Sequence, residues 1–343
     1  MIINRILPLL LLFGLIAAPD AAFAAASDAA LLWWTRVLPS LLPYLIAASL
    51  LLNSGLFARA PKRLRPFLLL LFGALGGYPV GAKLSGRFYA QGVLSLSDAK
   101  KAAAVCNLPN PVFILSVSAV GFFGDPRTAA PLLIGVYAAA LPGLIPLYRL
   151  RFQPIPTAKP VRPAGLPDSI FDGVRSVAAI LGCLVLASVL GALLEAAGLF
   201  RAVAALFNLP EPTVQAVSTG LFEMTCGIRM IAETALSLPV RLALSAFFLQ
   251  LGGGSVLLQT ASELPISFSR YLLAKLVFAL LSGAIAFALT PLFCPDTAVA
   301  PLASGPTVLK NSLDLLVMLL ASAFGLLLVF VFTAGLYKQN RGS

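Results

Sequence analysis

The sequence predicts an all-α polytopic membrane protein of about eight transmembrane helices, arranged as two inverted repeats that contain broken or re-entrant helices. Three observations predict this fold: the apolar composition, the length of the apolar stretches, and motifs that recur in both halves of the chain. Of 343 residues, 59% are hydrophobic and 11% are charged, and the mean hydropathy is +0.97. Because a soluble domain carries about 25% charged residues, this composition indicates that lipid surrounds the chain.

The apolar stretches are long enough for helices that cross a bilayer. A helix needs about 20 apolar residues to cross a hydrocarbon core of about 30 Å, whereas the strands of a membrane barrel have about 10 residues of alternating polarity. The segments 67–82 and 213–233 are apolar but contain breaks, and basic residues on both flanks of 67–82 predict that it enters the membrane and returns. We predict continuous or interrupted spans at residues 37–57, 103–123, 129–148, 172–198, 240–262, 268–292 and 311–336.

The net charge of +11 comes from short basic clusters between the apolar spans. A nucleic-acid interface would instead collect basic and aromatic residues on one face, so we expect no nucleic-acid partner. Most of the 24 Lys and Arg residues fall on the cytoplasmic side when the spans are threaded in order, as the positive-inside rule requires. The chain is therefore expected in the bacterial cytoplasmic membrane, with a cytoplasmic C-terminus.

The N-terminal segment has two readings. An apolar run at 6–18 follows Arg5 and precedes the small-residue sequence at 22–24, a pattern that fits either a retained first span or a cleaved signal peptide. Both readings leave Ser27 outside the cytoplasmic membrane. The predicted organisation is an N-terminal segment at 1–30, a first Gate-like repeat at 31–150, a basic cytoplasmic linker at 151–170, a second, inverted repeat at 171–293, and a C-terminal span with a basic tail at 294–343.

The repeat is visible when the two halves are laid over one another. Residues 81–84 (GAKL) match 227–230 (GIRM), and residues 110–113 lie opposite 254–257 at nearly the same separation. The charge bias orients the leading spans of the two units in opposite directions. Inverted repeats with discontinuous helices are the design of many secondary transporters, whose sites lie near the membrane midplane. Duplication without transport, and chance similarity among glycine-rich apolar segments, remain the alternatives.

Glycine and proline predict four breaks, at 76–81, 107–111, 223–227 and 252–255. Glycine permits the turns and proline removes a backbone donor. Lipid cannot satisfy unwound backbone, so such breaks persist only where they are buried or line a polar cavity. The residues expected to form this broken-helix backbone are Gly76, Gly77, Pro79, Gly81, Pro111, Gly227, Gly252, Gly253 and Gly254.

Polar side chains occur at the same breaks, and we predict that they bind substrate. An ionisable group at the bilayer centre costs about 2.5–3.5 kcal/mol or more, a cost that suggests a function. Glu223 is the strongest candidate, as an acceptor for substrate hydroxyls or as a cation or proton site. The candidate substrate-binding residues are Glu223, Asn107, Asn110, Thr225, Arg229, Lys83, Gln250 and Ser255.

Structural roles compete with these assignments. Glu223 could form a structural ion pair with Arg229 or Lys83, and a lysine near a helix end can extend its amine to the interface. The asparagines and Gln250 could hydrogen-bond a ligand or tie helices together at about 0.6–2 kcal/mol each.

The sequence excludes several chemistries. It contains no histidine, and its four cysteines form no CxxC pair, so histidine-based metal sites and histidine-dependent triads are impossible. We expect no metal, no cofactor and no enzymatic activity.

As a set, several motifs resemble the sporulation integral membrane proteins of the YlbJ type. The first half carries residues 32–43 (LWWTRVLPSLLP), 77–83 (GYPVGAK), 106–107 (CN) and 111–114 (PVFI), and the second half carries 220–228 (GLFEMTCGI) and 252–256 (GGGSV). Prolines 109 and 111 around Asn110, and a cysteine at 226, depart from the usual pattern and affect local geometry rather than fold.

The resemblance implies a nucleoside-recognition or Gate-domain protein that acts in endospore formation, notably of the cortex. The resemblance does not supply a substrate. From the inverted repeats and the polar breaks we predict a transporter or gate for a nucleoside-like or other small polar solute bound between the repeats. The alternative is a non-transporting membrane scaffold or regulator of a sporulation envelope assembly. The expected partners are the lipid bilayer, a small polar solute with a coupling ion, and other sporulation membrane proteins or further copies of the chain.

Overall fold

The computed structural model of the protein describes residues 11–53, 57, 60–153, 165–265 and 268–295. Within these ranges the chain forms helices and no strand, which confirms the predicted all-α class. The predicted span at 311–336 lies outside the described residues. Five of the described helices are long and apolar enough to cross a membrane: Pro19–Leu50, Pro126–Tyr148, Leu166–Ala196, Leu238–Glu263 and Arg270–Phe293.

The helices are numbered in chain order. The first half contains α1 (Pro19–Leu32), α2 (Leu38–Asn53), α3 (Arg65–Gly76), α4 (Val80–Ala90), α5 (Leu96–Cys106), a π-helix (Phe113–Phe122), α6 (Ala129–Ala140) and α7 (Leu144–Tyr148). The second half contains α8 (Leu166–Ala196), α9 (Leu199–Phe207), α10 (Glu211–Phe222), α11 (Met224–Glu233), α12 (Leu238–Leu251), α13 (Gly253–Glu263) and α14 (Phe268–Phe293).

Helices α1 and α2 form one continuous helix, because a π-helical turn at Trp33–Val37 joins them. A span starting at residue 37 was predicted, but the helix that contains this residue begins at Pro19. The domain boundary at residue 30 stays a prediction. Ser27 and Asp28 lie on the exposed face of this helix, and α8 packs along α1 and α2. Retention or cleavage of the N-terminal segment stays a prediction.

All four predicted helix breaks are present. Gly77, with φ of 74°, separates α3 from α4, and residues 107–110 separate α5 from the helical segment that leads into the π-helix. Glu223 adopts an extended conformation between α10 and α11. Gly252, with positive φ, separates α12 from α13, and Gly253, the first residue of α13, also has positive φ. Each half therefore contains two consecutive interrupted helices followed by one long helix; their inverted orientation stays a prediction.

The interrupted helices occupy the middle of the molecule. In the Leu238–Glu263 span, 83% of the most apolar 18-residue stretch is buried inside the protein. The corresponding value for Leu166–Ala196 is 28%. Helix α14 packs against α12, α6 and α5, and α13 packs against α10 and α4. These contacts bring the breaks of the two halves together.

Candidate functional site

A small cavity lies where the four breaks converge. Its volume is about 30 Å³. Every break contributes to its wall, and α2 and α8 close its side. The lining residues are Val37, Leu41, Gly77, Tyr78, Pro109, Asn110, Phe113, Ile180, Cys183, Glu223, Met224, Thr225, Ser255, Val256 and Gln259. The structure thus places five of the predicted site residues at one cavity: Gly77, Asn110, Glu223, Thr225 and Ser255.

Two breaks of the first half touch each other at this cavity. A Cβ atom added to Gly77 would lie 2.8 Å from the Cβ of Asn110, closer than side-chain atoms pack. The Asn110 amide donates to the carbonyl of Leu75 at 2.7 Å, and its oxygen accepts from the backbone N–H of Val112 at 2.7 Å. Asn110 therefore joins the end of α3 to the start of the next helix, as side chains at helix N-termini do.

Glu223 supplies the carboxylate of the cavity. It is the N-cap residue of α11, and its Oε2 accepts from the backbone N–H of Cys226 at 2.8 Å. The side chain is buried. Unsatisfied N–H groups and the helix dipole make a helix N-terminus favourable for negative charge, so α11 stabilises this carboxylate.

The ion pairs that the sequence offered for Glu223 do not occur in the described part of the chain. Lys83 instead pairs with Asp172 of α8 at 3.5 Å, where both side chains are more than one third exposed. Arg229 lies on α11, half-buried, and its Nε has no hydrogen-bond partner among the described residues. Neither basic residue lines the central cavity. Among the residues that the structure describes, Glu223 therefore faces the cavity without an ion pair.

Lys83 belongs to a second cavity. That cavity has a volume of about 40 Å³ and lies between α2, α4 and α8. Lys83 shares it with Asp172, and the Asp172 carboxylate also accepts from the hydroxyl of Ser49 at 3.2 Å. Lys83 is therefore separated from the other predicted binding residues.

Most of the predicted glycines pack helices closely rather than line the cavity. A Cβ atom on Gly81 would lie 2.2 Å from the backbone oxygen of Cys106, which shows how tightly α4 crosses the end of α5. A Cβ atom on Gly227 would lie 2.2 Å from the Cα of Gly220, where α11 folds back on α10. The remaining predicted backbone residues lie at the breaks but outside the cavity wall: Gly76, Pro79, Pro111, Gly252, Gly253 and Gly254.

A buried lysine forms a second polar region beside the cavity. Lys275 of α14 has 0% exposed surface. Its Nζ donates to the backbone oxygen of Asn107 at 2.6 Å and to the hydroxyl of Tyr78 at 3.1 Å. The Tyr78 hydroxyl in turn donates to the carbonyls of Leu249 and Gln250 at 2.9 and 3.0 Å. These contacts connect the ends of α5 and α12 through one amine.

Asn107 belongs to this lysine region and not to the cavity. Its side-chain amide donates to the hydroxyls of Thr260 and Tyr271 at 2.9 and 3.2 Å, and its oxygen accepts from the N–H of Ala82. The side chain of Gln250 also lies outside the cavity wall; it is fully buried, and its amide has no hydrogen-bond partner in the described ranges.

Lys275 and two of its neighbours, Thr260 and Tyr271, were not among the predicted site residues. A signal was available for Lys275, because it is one of two charges in the predicted span at 268–292 and lies deeper in that span than the other, Arg270. Charges inside a membrane span usually face the protein interior. Thr260 and Tyr271 carry no such signal. Only the crossing of α13 and α14 with α5 places them at Asn107.

Comparison with known proteins supports the predicted resemblance. The chain is similar to the sporulation integral membrane protein YlbJ of Bacillus subtilis (strain 168), with 29% identity over 309 residues, 76% of this chain and 76% of the relative. The resemblance to the YlbJ type is confirmed. No protein-family model matches the chain, and no solved structure matches it. The name of YlbJ describes an integral membrane protein, in agreement with the apolar helices of this chain. The nucleoside-recognition and Gate-domain assignments stay predictions.

Proposed function

We propose that the chain is a non-enzymatic, multi-pass membrane protein of spore formation that transports or gates a small polar solute. The observation that carries the proposal is the convergence of four helix breaks, two from each half, on one cavity that contains a buried carboxylate. No ion pair of this carboxylate occurs among the described residues. Broken helices that meet near the midplane are where secondary transporters bind substrate. The similarity to YlbJ supplies the sporulation context.

Glu223 is the principal ligand in this proposal. Its carboxylate accepts hydroxyl or amine donors of the solute, and Asn110, Thr225 and Ser255 add polar contacts around it. A cavity needs about 10–15 Å³ for each water molecule, so the present volume of about 30 Å³ corresponds to about two waters. A nucleoside-like solute enters only when the two halves separate, which is the motion that alternating access requires.

The test is solute uptake by the purified protein in liposomes, with a panel of nucleosides and other small polar solutes. We expect the wild-type protein to take up at least one solute. The uptake rate should fall by about tenfold or more in Glu223→Gln, since hydrogen bonds to charged groups contribute about 1.5–3 kcal/mol. Glu195→Gln is the matched control, because Glu195 is exposed on α8. Equal uptake by wild type and Glu223→Gln across the whole panel would refute the proposal.

A second candidate function is a non-transporting scaffold or regulator of a sporulation envelope assembly. The small volume of the cavity favours it, because a chain that never binds solute needs only a closed polar interior. In that case no member of the panel enters liposomes faster than through lipid alone, and none raises the melting temperature of the protein. A solute that does either contradicts the scaffold function.

A further inference from the structure

The surroundings of Lys275 have the chemistry of a cation site. The backbone oxygen of Asn107 faces the amine because residue 111, the position that would donate to this oxygen in a continuous helix, is a proline without an N–H. The carbonyls of Leu249 and Gln250 belong to the last turn of α12, whose oxygens lack helical donors. Both helix ends carry partial negative charge.

The amine occupies the place where the two helix ends meet. Lys275 donates directly to the end of α5 and reaches the end of α12 through the Tyr78 hydroxyl. Its Nζ also lies 5.1 Å from the centre of the Tyr78 ring, within the range of a cation–π contact. No Asp or Glu of the described residues forms an ion pair with it. Its hydrogen-bond partners are neutral oxygens, as they would be for a small bound cation.

We propose that Lys275 is a tethered cation: its amine fills an intramembrane cation site formed by the Asn107 carbonyl and the Tyr78 hydroxyl. In transporters with broken helices, unwound carbonyls and half-helix C-terminal ends coordinate the coupling cation. Here the chain supplies that charge itself, so the protein binds no sodium or potassium ion at this site. The inference deepens the proposed function by fixing the cation requirement, and the site itself can be tested without any solute.

Chemical rescue is the direct test. Lys275→Ala removes the amine and leaves space, and methylammonium is a small cation that reproduces the end of the side chain. We expect Lys275→Ala to melt at a lower temperature than wild type in detergent, and methylammonium chloride to recover about half of the loss, because a cation that binds only the folded state stabilises it by mass action. Choline chloride at the same ionic strength should recover none, because choline is too large for the space.

Two control variants separate charge from volume. Lys275→Met fills the space without a charge, so it should be destabilised and indifferent to methylammonium. Arg270→Ala removes an exposed charge from the same helix and should show neither the loss nor the recovery. Recovery of Lys275→Met or of Arg270→Ala by methylammonium would overturn the proposal, since it would show a general salt effect.

Wild-type protein gives an independent result. Its melting temperature should be the same in sodium, potassium and choline chloride, and a specific gain from sodium or potassium would overturn the proposal. If Lys275→Ala does not fold in choline, purification in methylammonium replaces the melting measurement: monodisperse protein supports the proposal, and aggregation in both salts counts against it. None of these measurements contains solute, so their outcome is separate from Glu223-dependent uptake.

Discussion

The two polar regions of this protein differ in which helix ends they collect. The central cavity receives the N-terminus of α11, and the charge placed there is the carboxylate of Glu223. The lysine region receives the C-terminal ends of α5 and α12, and the charge placed there is the amine of Lys275. Each sign of charge is thus located at the helix end that favours it.

The regions also differ in how completely their polar groups are satisfied. Around Lys275, Asn107 bonds to Thr260 and Tyr271, and the amine has two acceptors. Glu223 faces a cavity of about 30 Å³, with room for about two water molecules. This difference agrees with a structural role for the lysine region and with the ligand site that we propose at the cavity.

The largest effect on stability is expected at the close contact between α4 and the end of α5. Gly81→Ala places a Cβ atom 2.2 Å from the backbone oxygen of Cys106, which displaces α4 from the end of α5. Overpacking of this kind costs about 3 kcal/mol. We expect the free energy of unfolding, measured in detergent, to fall by a similar amount. Gly182→Ala is the control, because a Cβ there meets nothing within 4 Å. If Gly81→Ala is as stable as Gly182→Ala, α4 and α5 do not cross this closely.

An intermediate effect should separate the two asparagines. Asn107→Leu leaves buried hydroxyls of Thr260 and Tyr271 without their donor, at a cost of about 2 kcal/mol. Asn110→Leu should cost about half as much, because Asn110 lines the cavity, where water can replace a lost bond. Chemical unfolding of the two variants measures the difference. Equal losses would remove the distinction between a structural region and a ligand region.

The smallest effect on stability is expected for Glu223→Gln. The amide oxygen of glutamine can still accept from the N–H of Cys226, so the cap of α11 is largely retained and the change should stay below about 1 kcal/mol. The same unfolding measurement checks this value. A loss larger than that of Asn107→Leu would assign Glu223 a mainly structural role, against the proposed function.

The positions of the breaks were predictable because they depend on local backbone chemistry. Gly77, Gly252 and Gly253 adopt positive φ, which glycine tolerates and other residues do not. Glu223 was also identifiable, since an acid within an apolar segment is costly unless it is used or paired. These signals lie within a few residues of the features that they predict.

The assignment of side chains to sites was less predictable, because it depends on contacts between distant segments. Asn107 and Asn110 lie three positions apart at one break, yet one serves the lysine region and the other the cavity. Lys83 was grouped with Glu223 by its position beside a break, but α8 brings Asp172 to it instead. Lys275 was read as part of an apolar span.

The sequence by itself determined that this protein is a helical membrane protein with interrupted helices and resembles the YlbJ type, because composition, glycine and proline act locally and lipid enforces helical hydrogen bonding. Tertiary structure decided which helix ends meet. That choice places Glu223 at an N-terminal end and Lys275 between two C-terminal ends. Only the packing of the helices determines these positions, because the helix ends that stabilise each charge come from segments far apart in the chain.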